Sequence, residues 1–507
     1  MASASAKYVC ELCNKEFSQK GDYTKHKNKK SPCISIDKIQ ELAKTKEAAS
    51  DDKLKLINLF KNCLNVLRDN EGLTGDKALR NMSYLIILKL IEPHIGTTID
   101  FDTYEYDHSD IEITDDKKQE LLNIVKFSNL SSEKDENIPS DMKNLWEVIL
   151  SRHPATSTIF LKGKKFDIER QSTYVKLIKN LNSIDIASIN HDVLGAAYEE
   201  VIKDVMVGKV LGQHFTPHCV KKLMIKLINP KIFEDGTIES CIDPTMGTGG
   251  FLISYLKHIQ EQAKLRKIEL NWEAIKKDGI FGKELEPDTY QLAMSNMLIS
   301  AGQMFNSLER GDSIRDPITR KADNVLANPP FGIKGLKYDE ITHTLKSQYL
   351  PIKSDNAVCL FIQAIINILK IDGKCCVVLP DGQELFSKTN KTFITIREFL
   401  MKTCDLKEIY YMPSGIFTYT PIKTCVFYFV KKREGSEVIK TDIKLSKKVA
   451  SKETGRDYKF SKTHQTTTVK FYDYNPYEEV KNLLVDVSID AIASNLYSLN
   501  YVDYMKE

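Results

Sequence analysis

Asn328-Pro329-Pro330-Phe331 is the stretch of this 507-residue chain whose residue types most narrowly dictate a chemistry. Two consecutive prolines stiffen the backbone and remove two donors, leaving carbonyls there to accept hydrogen bonds. A loop of that kind suits a planar amino group. An exocyclic amine or an amide nitrogen is a poor nucleophile, because its lone pair is delocalised. If the Asn328 side-chain oxygen and the Pro329 carbonyl both accept its protons, electron density at nitrogen rises and in-line attack on an electrophilic methyl becomes feasible. No metal or covalent intermediate is required, and Phe331 is placed to stack on the ring that carries the amine, as bases turned out of a duplex are held.

Upstream, Cys241-Ile242-Asp243-Pro244-Thr245-Met246-Gly247-Thr248-Gly249-Gly250-Phe251-Leu252 reads as a strand end, a glycine turn and the start of a helix. Glycines there let the backbone approach a ligand closely. Alone, such a turn binds a dinucleotide, a phosphate, another cofactor or nothing, and its spacing is not G-x-G-x-x-G. The order of later features says more. Gly279 to Glu284 ends a second strand in a carboxylate, where doubly wound folds hold ribose hydroxyls. Gly311-Asp312 is placed to receive an adenine amino group, and Asp323 to Gly332 brings a fourth strand out at the same edge. Taken singly, Glu284 or Asp312 is more often a helix cap or a solvated acid. Their ordered recurrence favours a ligand rim.

Cys10, Cys13, His26 and Cys33 form a C-x2-C-x12-H-x6-C pattern. Thiolate and imidazole suit tetrahedral zinc, and so short a piece has too little core to fold without a staple. Phe17 and Tyr23 stand at the offsets where small fingers place their core residues. The pattern resembles a two-Cys two-His finger with Cys33 in the last position, binding either DNA or protein. Local lysines favour nucleic acid modestly.

The elements that must position these groups follow from composition. With 42% hydrophobic and 28% charged residues the chain folds as a globular protein, and its net charge of +3 makes any nucleic-acid footprint local. Eleven scattered cysteines fit a reducing, intracellular compartment. The absence of an apolar leader or a long apolar run predicts neither export nor a membrane span. The boundaries expected are a finger over residues 1–34, a linker over 35–50, a helical domain over 51–183, an α/β catalytic domain over 184–433, a basic insert over 434–468 and a closing segment over 469–507. Within the helical stretch, Leu54, Ile57, Leu59, Phe60, Leu64 and Leu67 keep helical spacing. From Ile184 onward, short apolar runs alternate with amphipathic stretches, the pattern of parallel strands with helical crossovers.

Together these motifs resemble an adenine-N6 DNA methyltransferase, closest to the modification subunit of type I restriction systems. Gly212-Gln213-His214-Phe215-Thr216-Pro217 is similar to the family's segment before the glycine loop, Gly282 to Pro287 to its ribose-binding strand end, and Asn328 to Phe331 to its catalytic tetrapeptide. The resemblance implies a doubly wound, Rossmann-like domain dependent on S-adenosylmethionine. It implies a cofactor site of Thr216, Asp243, Gly247, Thr248, Gly249, Gly250, Phe251, Glu284 and Asp312, and catalysis by Asn328, Pro329, Pro330 and Phe331 on a flipped adenine. It implies DNA and a separate specificity subunit as partners. The family's subunit has no N-terminal finger, so Cys10 to Cys33 is an addition to its pattern.

Two other readings stand beside this one. An amide nitrogen poses the same problem to the same loop, so methylation of a protein glutamine is an alternative, although such enzymes more often end the motif in Tyr. A non-catalytic DNA-binding protein that keeps the fold would have no physical need of Asn328, Asp312 and Glu284 together.

Overall fold

The computed structural model describes residues 8–9, 16–17, 24, 36–131, 137–206, 216–333, 335–417, 422–443 and 463–505. The four expected zinc ligands, Cys10, Cys13, His26 and Cys33, lie outside the described residues, as do Tyr23 and Gly212 to Phe215. Near the N-terminus, strands β1 (Tyr8–Val9) and β2 (Glu16–Phe17) pair antiparallel, with Tyr8 opposite Phe17.

A helix over Ile36–Glu71 leads into helices Gly75–Ile91, Gln171–Asn182 and His191–Met206. Leu56, Phe60, Cys63 and Leu67 follow helical spacing and are all fully buried. Leu54, expected on the same stripe, is 59% exposed and lies on the solvent side. These helices share one continuous core with the sheet's first face: Phe60, Tyr84 and Tyr198 belong to the same apolar cluster as Leu252 and Met297.

The sheet has nine strands: β3 (Cys241–Asp243), β4 (Ile280–Glu284), β5 (Leu308–Arg310), β6 (Ala322–Ala327), β7 (Leu369–Pro380), β8 (Cys404–Tyr411), β9 (Thr424–Lys431), β10 (Thr468–Asn475) and β11 (Val480–Ser488). Their spatial order is β11-β10-β8-β9-β7-β6-β3-β4-β5. The chain runs outward from β3 through β4 to β5 and then returns to β6 on the other side. The order therefore reverses between β3 and β6, the crevice where open α/β sheets bind ligands.

The expected parallel strands run from β5 through β4, β3 and β6 to β7, while the other half of the sheet is mixed. β9 pairs antiparallel with both β7 and β8, and β11 antiparallel with β10. Among the described residues, the links from β8 to β9 and from β10 to β11 hold no crossover helix, and only antiparallel neighbours can be joined that way.

Side-chain alternation separates two helical layers. Cys241, Leu326, Cys376 and Val378 face the layer of helices His218–Ile228, Gly250–Arg266 and Pro287–Ala301. Ile242, Val325, Cys375 and Val377 face helices Ala357–Ile368 and Lys391–Thr403. The Pro287–Ala301 helix is buried over most of its surface because it is wedged between the sheet and the N-terminal helices. Its ends are written in the sequence: Glu286 caps it by accepting the Thr289 N–H at 2.6 Å, Pro287 opens it, and Gly302 closes it in the left-handed region at φ 65°.

Candidate active site

Four chain segments leave the sheet at the same edge, and each carries one of the polar groups singled out by sequence. Asp243 ends β3 opposite Gly282 of β4, Glu284 ends β4 opposite Arg310 of β5, Asp312 follows β5, and Asn328 follows β6. The register of parallel strands thus delivers them side by side, flanking the β3/β6 switch point.

Between β3 and its helix the chain makes a compact loop. Asp243 Oδ1 accepts the Thr245 N–H at 3.0 Å, Met246 N donates to the Lys283 carbonyl at 3.1 Å, and Gly249 N donates to the Met246 carbonyl at 2.8 Å. Gly247 sits at φ 54° with no described residue where a Cβ would point, so among the described residues its face of the loop is clear for a ligand. Glu284 ties this loop to the neighbouring strand, its Oε2 accepting the Gly247 N–H at 3.0 Å and its Oε1 the Glu286 N–H at 2.9 Å.

Two carboxylates here are driven toward their neutral forms. Burial pushes the Asp243 carboxyl up to about 8; the Thr245 N–H opposes this and the nearby Glu284 charge adds to it. Asp243 is fully buried, and its Oδ2 has no hydrogen-bond partner among the described residues. Burial likewise raises Glu284, against the N–H groups of Glu286 and Gly247. A cationic or hydroxyl-bearing ligand meets both needs, supplying the missing partner at Asp243 and countering the crowded negative charge. The open Gly247 face and this acid pair fit a nucleoside-bearing cofactor whose amino-acid end offers an ammonium group.

Asp312 is held differently. Burial acts to raise its pKa, but the Arg315 N–H, the Arg315 guanidinium and the Ile314 N–H outweigh that and keep it low and ionised. Oδ1 accepts from Ile314 N at 2.8 Å and Arg315 N at 3.0 Å, while Oδ2 accepts from Arg315 Nη1 at 2.7 Å. Its turn is pinned from below by Lys283, a residue the sequence reading passed over. Lys283 is 3% exposed, and its ammonium donates to the Asp316 carbonyl at 2.8 Å and carboxylate at 2.5 Å. The one available signal was a lysine next to Glu284 in an otherwise apolar strand.

Asn328 is partly buried, and its Nδ2 donates to Thr216 Oγ1 at 3.1 Å. Thr216 of the Gly212–Pro217 segment therefore touches the tetrapeptide. Phe331 is only 9% exposed and packs in the second core beside Ala327 and Val358. Thr248 is fixed through its carbonyl, which accepts from Asn296 Nδ2 at 2.9 Å, and no sequence pattern marked Asn296. Gly250 abuts Lys221, whose buried ammonium pairs with Glu199 at 3.0 Å. Among the described residues no group of His, Cys, Asp and Glu could hold a metal ion.

Strand order, the antiparallel β9 and the polar rim define an α/β methyltransferase fold. It is shared with the methyltransferase subunit of a type I restriction-modification system from Streptococcus thermophilus, at 19% identity over 89% of this chain and 98% of that one, TM-score 0.60. A modification subunit of a putative type I restriction enzyme from Vibrio vulnificus shares it too, at 20% identity over 83% and 84%, TM-score 0.55. The chain belongs to the N-6 DNA methylase family, which matches residues 189–507. Among individual proteins it is 27% identical to the EcoEI methylase subunit of Escherichia coli, over 76% of this chain and 77% of that one. To the EcoKI methylase subunit of the same species it is 32% identical, over 50% of this chain and 48% of the relative. Methylation of DNA adenine at N6 is the activity to which this membership assigns the chain. No described helix is long and apolar enough to cross a membrane.

Proposed function

We propose that Asn328 and Pro329 accept the N6 protons of an adenine turned out of duplex DNA, and that the methyl comes from S-adenosylmethionine held by Thr216, Asp243, Gly247 to Phe251, Glu284 and Asp312. The observation that carries this reading is the arrival of Asn328 at the same sheet edge as Asp243, Glu284 and Asp312, flanking the switch point. When bound, the cofactor supplies an electrophilic methyl on a sulfonium. Glu284 holds ribose hydroxyls, Asp312 accepts from the adenine of the cofactor, and the orphaned Asp243 Oδ2 takes a donor from its amino-acid end.

Asn328 and the Pro329 carbonyl would accept the N6 protons and polarise the target amine, so that its lone pair could take the methyl that the bound cofactor would supply. The surplus N6 proton leaves to solvent. Phe331 stacks on the flipped base after leaving its seat against the second core, and the flip is needed because stacking hides N6 inside the duplex. Replacing Asn328 by Ala is expected to abolish methyl transfer to DNA while calorimetric binding of S-adenosylhomocysteine survives; normal methylation by that variant would refute the reading.

The domain boundaries read from sequence are carried into this proposal, with residues 51–183 and the basic segment 434–468 gripping phosphates beside the catalytic unit. DNA sequence is read by a separate specificity subunit; the relatives are named as methylase subunits of type I restriction enzymes, which fits a chain that works with other subunits. The Cys10, Cys13, His26 and Cys33 finger binds structural zinc; the antiparallel pairing of Tyr8–Val9 with Glu16–Phe17, on either side of the two cysteines in sequence, supports it. One zinc per chain by metal analysis, lost on Cys10→Ser, is the expected result.

A further inference from the structure

We infer that Thr216 decides which end of the Asn328 amide faces the target amine, and so makes cofactor binding a condition for a competent catalytic residue. This rests on the reading above of the cofactor and the tetrapeptide.

The observation is a contact between residues 112 positions apart: Asn328 Nδ2 donates to Thr216 Oγ1 at 3.1 Å. A carboxamide has nearly the same shape with oxygen and nitrogen exchanged, but only the oxygen can accept a proton from an incoming amine. The exchanged orientation would set two N–H donors against the N–H donors of the substrate. Something must break the degeneracy, and Thr216 is a partner placed to do so.

A hydroxyl has one proton and two lone pairs, so by itself it can accept from Nδ2 or donate to Oδ1. An acceptor on its far side removes the choice. Thr216 belongs to the segment proposed to hold the amino-acid end of the cofactor, which carries a carboxylate. Once the hydroxyl proton is given to that anion, only lone pairs remain for Asn328. Nδ2 is then drawn to Thr216, and Oδ1 is turned to the opposite side of the amide.

Both partners stand on fixed supports, so the contact adjusts by exchange of the amide ends rather than by drift. The Pro217 carbonyl takes the N–H groups of Val220 and Lys221, each at 3.0 Å, and starts the His218–Ile228 helix. That helix is seated by the buried Lys221–Glu199 pair and, on its outer side, by Lys222 and Lys226 on Glu479. Asn328 is fixed by β6 behind it and two prolines ahead. Thr216 itself is 8% exposed, which keeps water from competing for the hydroxyl.

The test compares Thr216→Val, which keeps the shape and deletes the hydroxyl, with Thr216→Ser, which keeps the hydroxyl. Tritium transfer from labelled S-adenosylmethionine to unmethylated bacterial DNA is measured at saturating cofactor. Thr216→Val is expected to lower kcat at least tenfold, and Thr216→Ser to retain a third or more of it. A rise in KM for the cofactor with kcat unchanged in Thr216→Val would overturn the inference and leave Thr216 a cofactor contact alone. A second readout needs no turnover: in full-length protein labelled with 15N-asparagine, S-adenosylhomocysteine is expected to shift and protect the Asn328 side-chain amide protons in the wild type and not in Thr216→Val. The same response in both proteins would overturn the inference. Absence of any methyl transfer by the wild type would instead count against the proposed function, and the amide signals would still decide the role of Thr216.

Discussion

Glu284 Oε2 accepts the backbone N–H of Gly247 at 3.0 Å, joining the end of one strand to the turn that follows its neighbour. The carboxylate expected to hold a ribose is also a strut of the glycine loop. Hydrogen bonds to a charged group contribute about 1.5–3 kcal/mol each, more than neutral ones. Glu284→Ala is therefore expected to weaken S-adenosylhomocysteine binding by about ten- to a hundredfold in calorimetry. A change of less than threefold would show that Glu284 serves the loop alone.

The buried Asp243 makes stability depend on pH in a stated direction. Its folded-state pKa of about 8 lies above the ordinary value of 3.8, so the native protein retains a proton that the unfolded chain has released. Stability is complete below about pH 4 as far as this group is concerned, and it falls as pH rises toward 8. The slope is at most about 1.4 kcal/mol per pH unit. Asp243→Asn removes this component, so urea unfolding of the variant between pH 5 and 8 is expected to show a flatter dependence than the wild type. Parallel curves would contradict the burial argument.

Gly195 marks where the N-terminal helices meet the catalytic fold. A Cβ there would lie 2.7 Å from the Ser300 backbone Cα, closer than atoms of packed helices come. Gly to Ala inside a helix ordinarily stabilises by about 0.5–1 kcal/mol. Here overpacking at about 1–3 kcal/mol wins, and Gly195→Ala is expected to lower the Tm by several degrees. A raised Tm would mean the two helices separate without penalty.

Lys283 is expected to set the adenine subsite without touching the cofactor. Its alkyl stem fills the space beside Gly311, and its ammonium holds Asp316, whose N–H in turn bonds the Asp312 carbonyl at 2.8 Å. Lys283→Met frees that turn while Asp316, already largely exposed, regains water. The expected result is a five- to fiftyfold rise in KM for S-adenosylmethionine with kcat at saturation kept, estimated from about 1–2.5 kcal/mol for one lost charged contact. An unchanged KM would show that the turn holds its place unaided.

Much of this was legible in the residues. The switch from helical spacing to short apolar runs marked the α/β part. The four rim residues were legible because each follows a strand end in fixed order. What escaped was set by contacts between distant segments. Leu54 fits the helical period yet faces solvent, and β9, antiparallel to both β7 and β8, carries the same kind of apolar run as they do. Phe331 reads as a stacking residue but rests in the core. Lys283 and Asn296 carry no local pattern at all, since their partners Asp316 and Thr248 are brought to them by the fold.

The chain alone determined which chemistry is available: a proline-stiffened acceptor loop, a glycine turn and acids at successive strand ends are local properties, written in neighbouring residues and in backbone sterics. Tertiary structure alone decided how those groups constrain one another. The Thr216–Asn328 contact, the strut from Glu284 to Gly247 and the burial that leaves Asp243 a neutral acid depend on segments 37 to 112 residues apart being packed into a water-poor crevice. Hydrogen-bond partners and solvation are relations between positions in space, and spacing along a chain does not encode them.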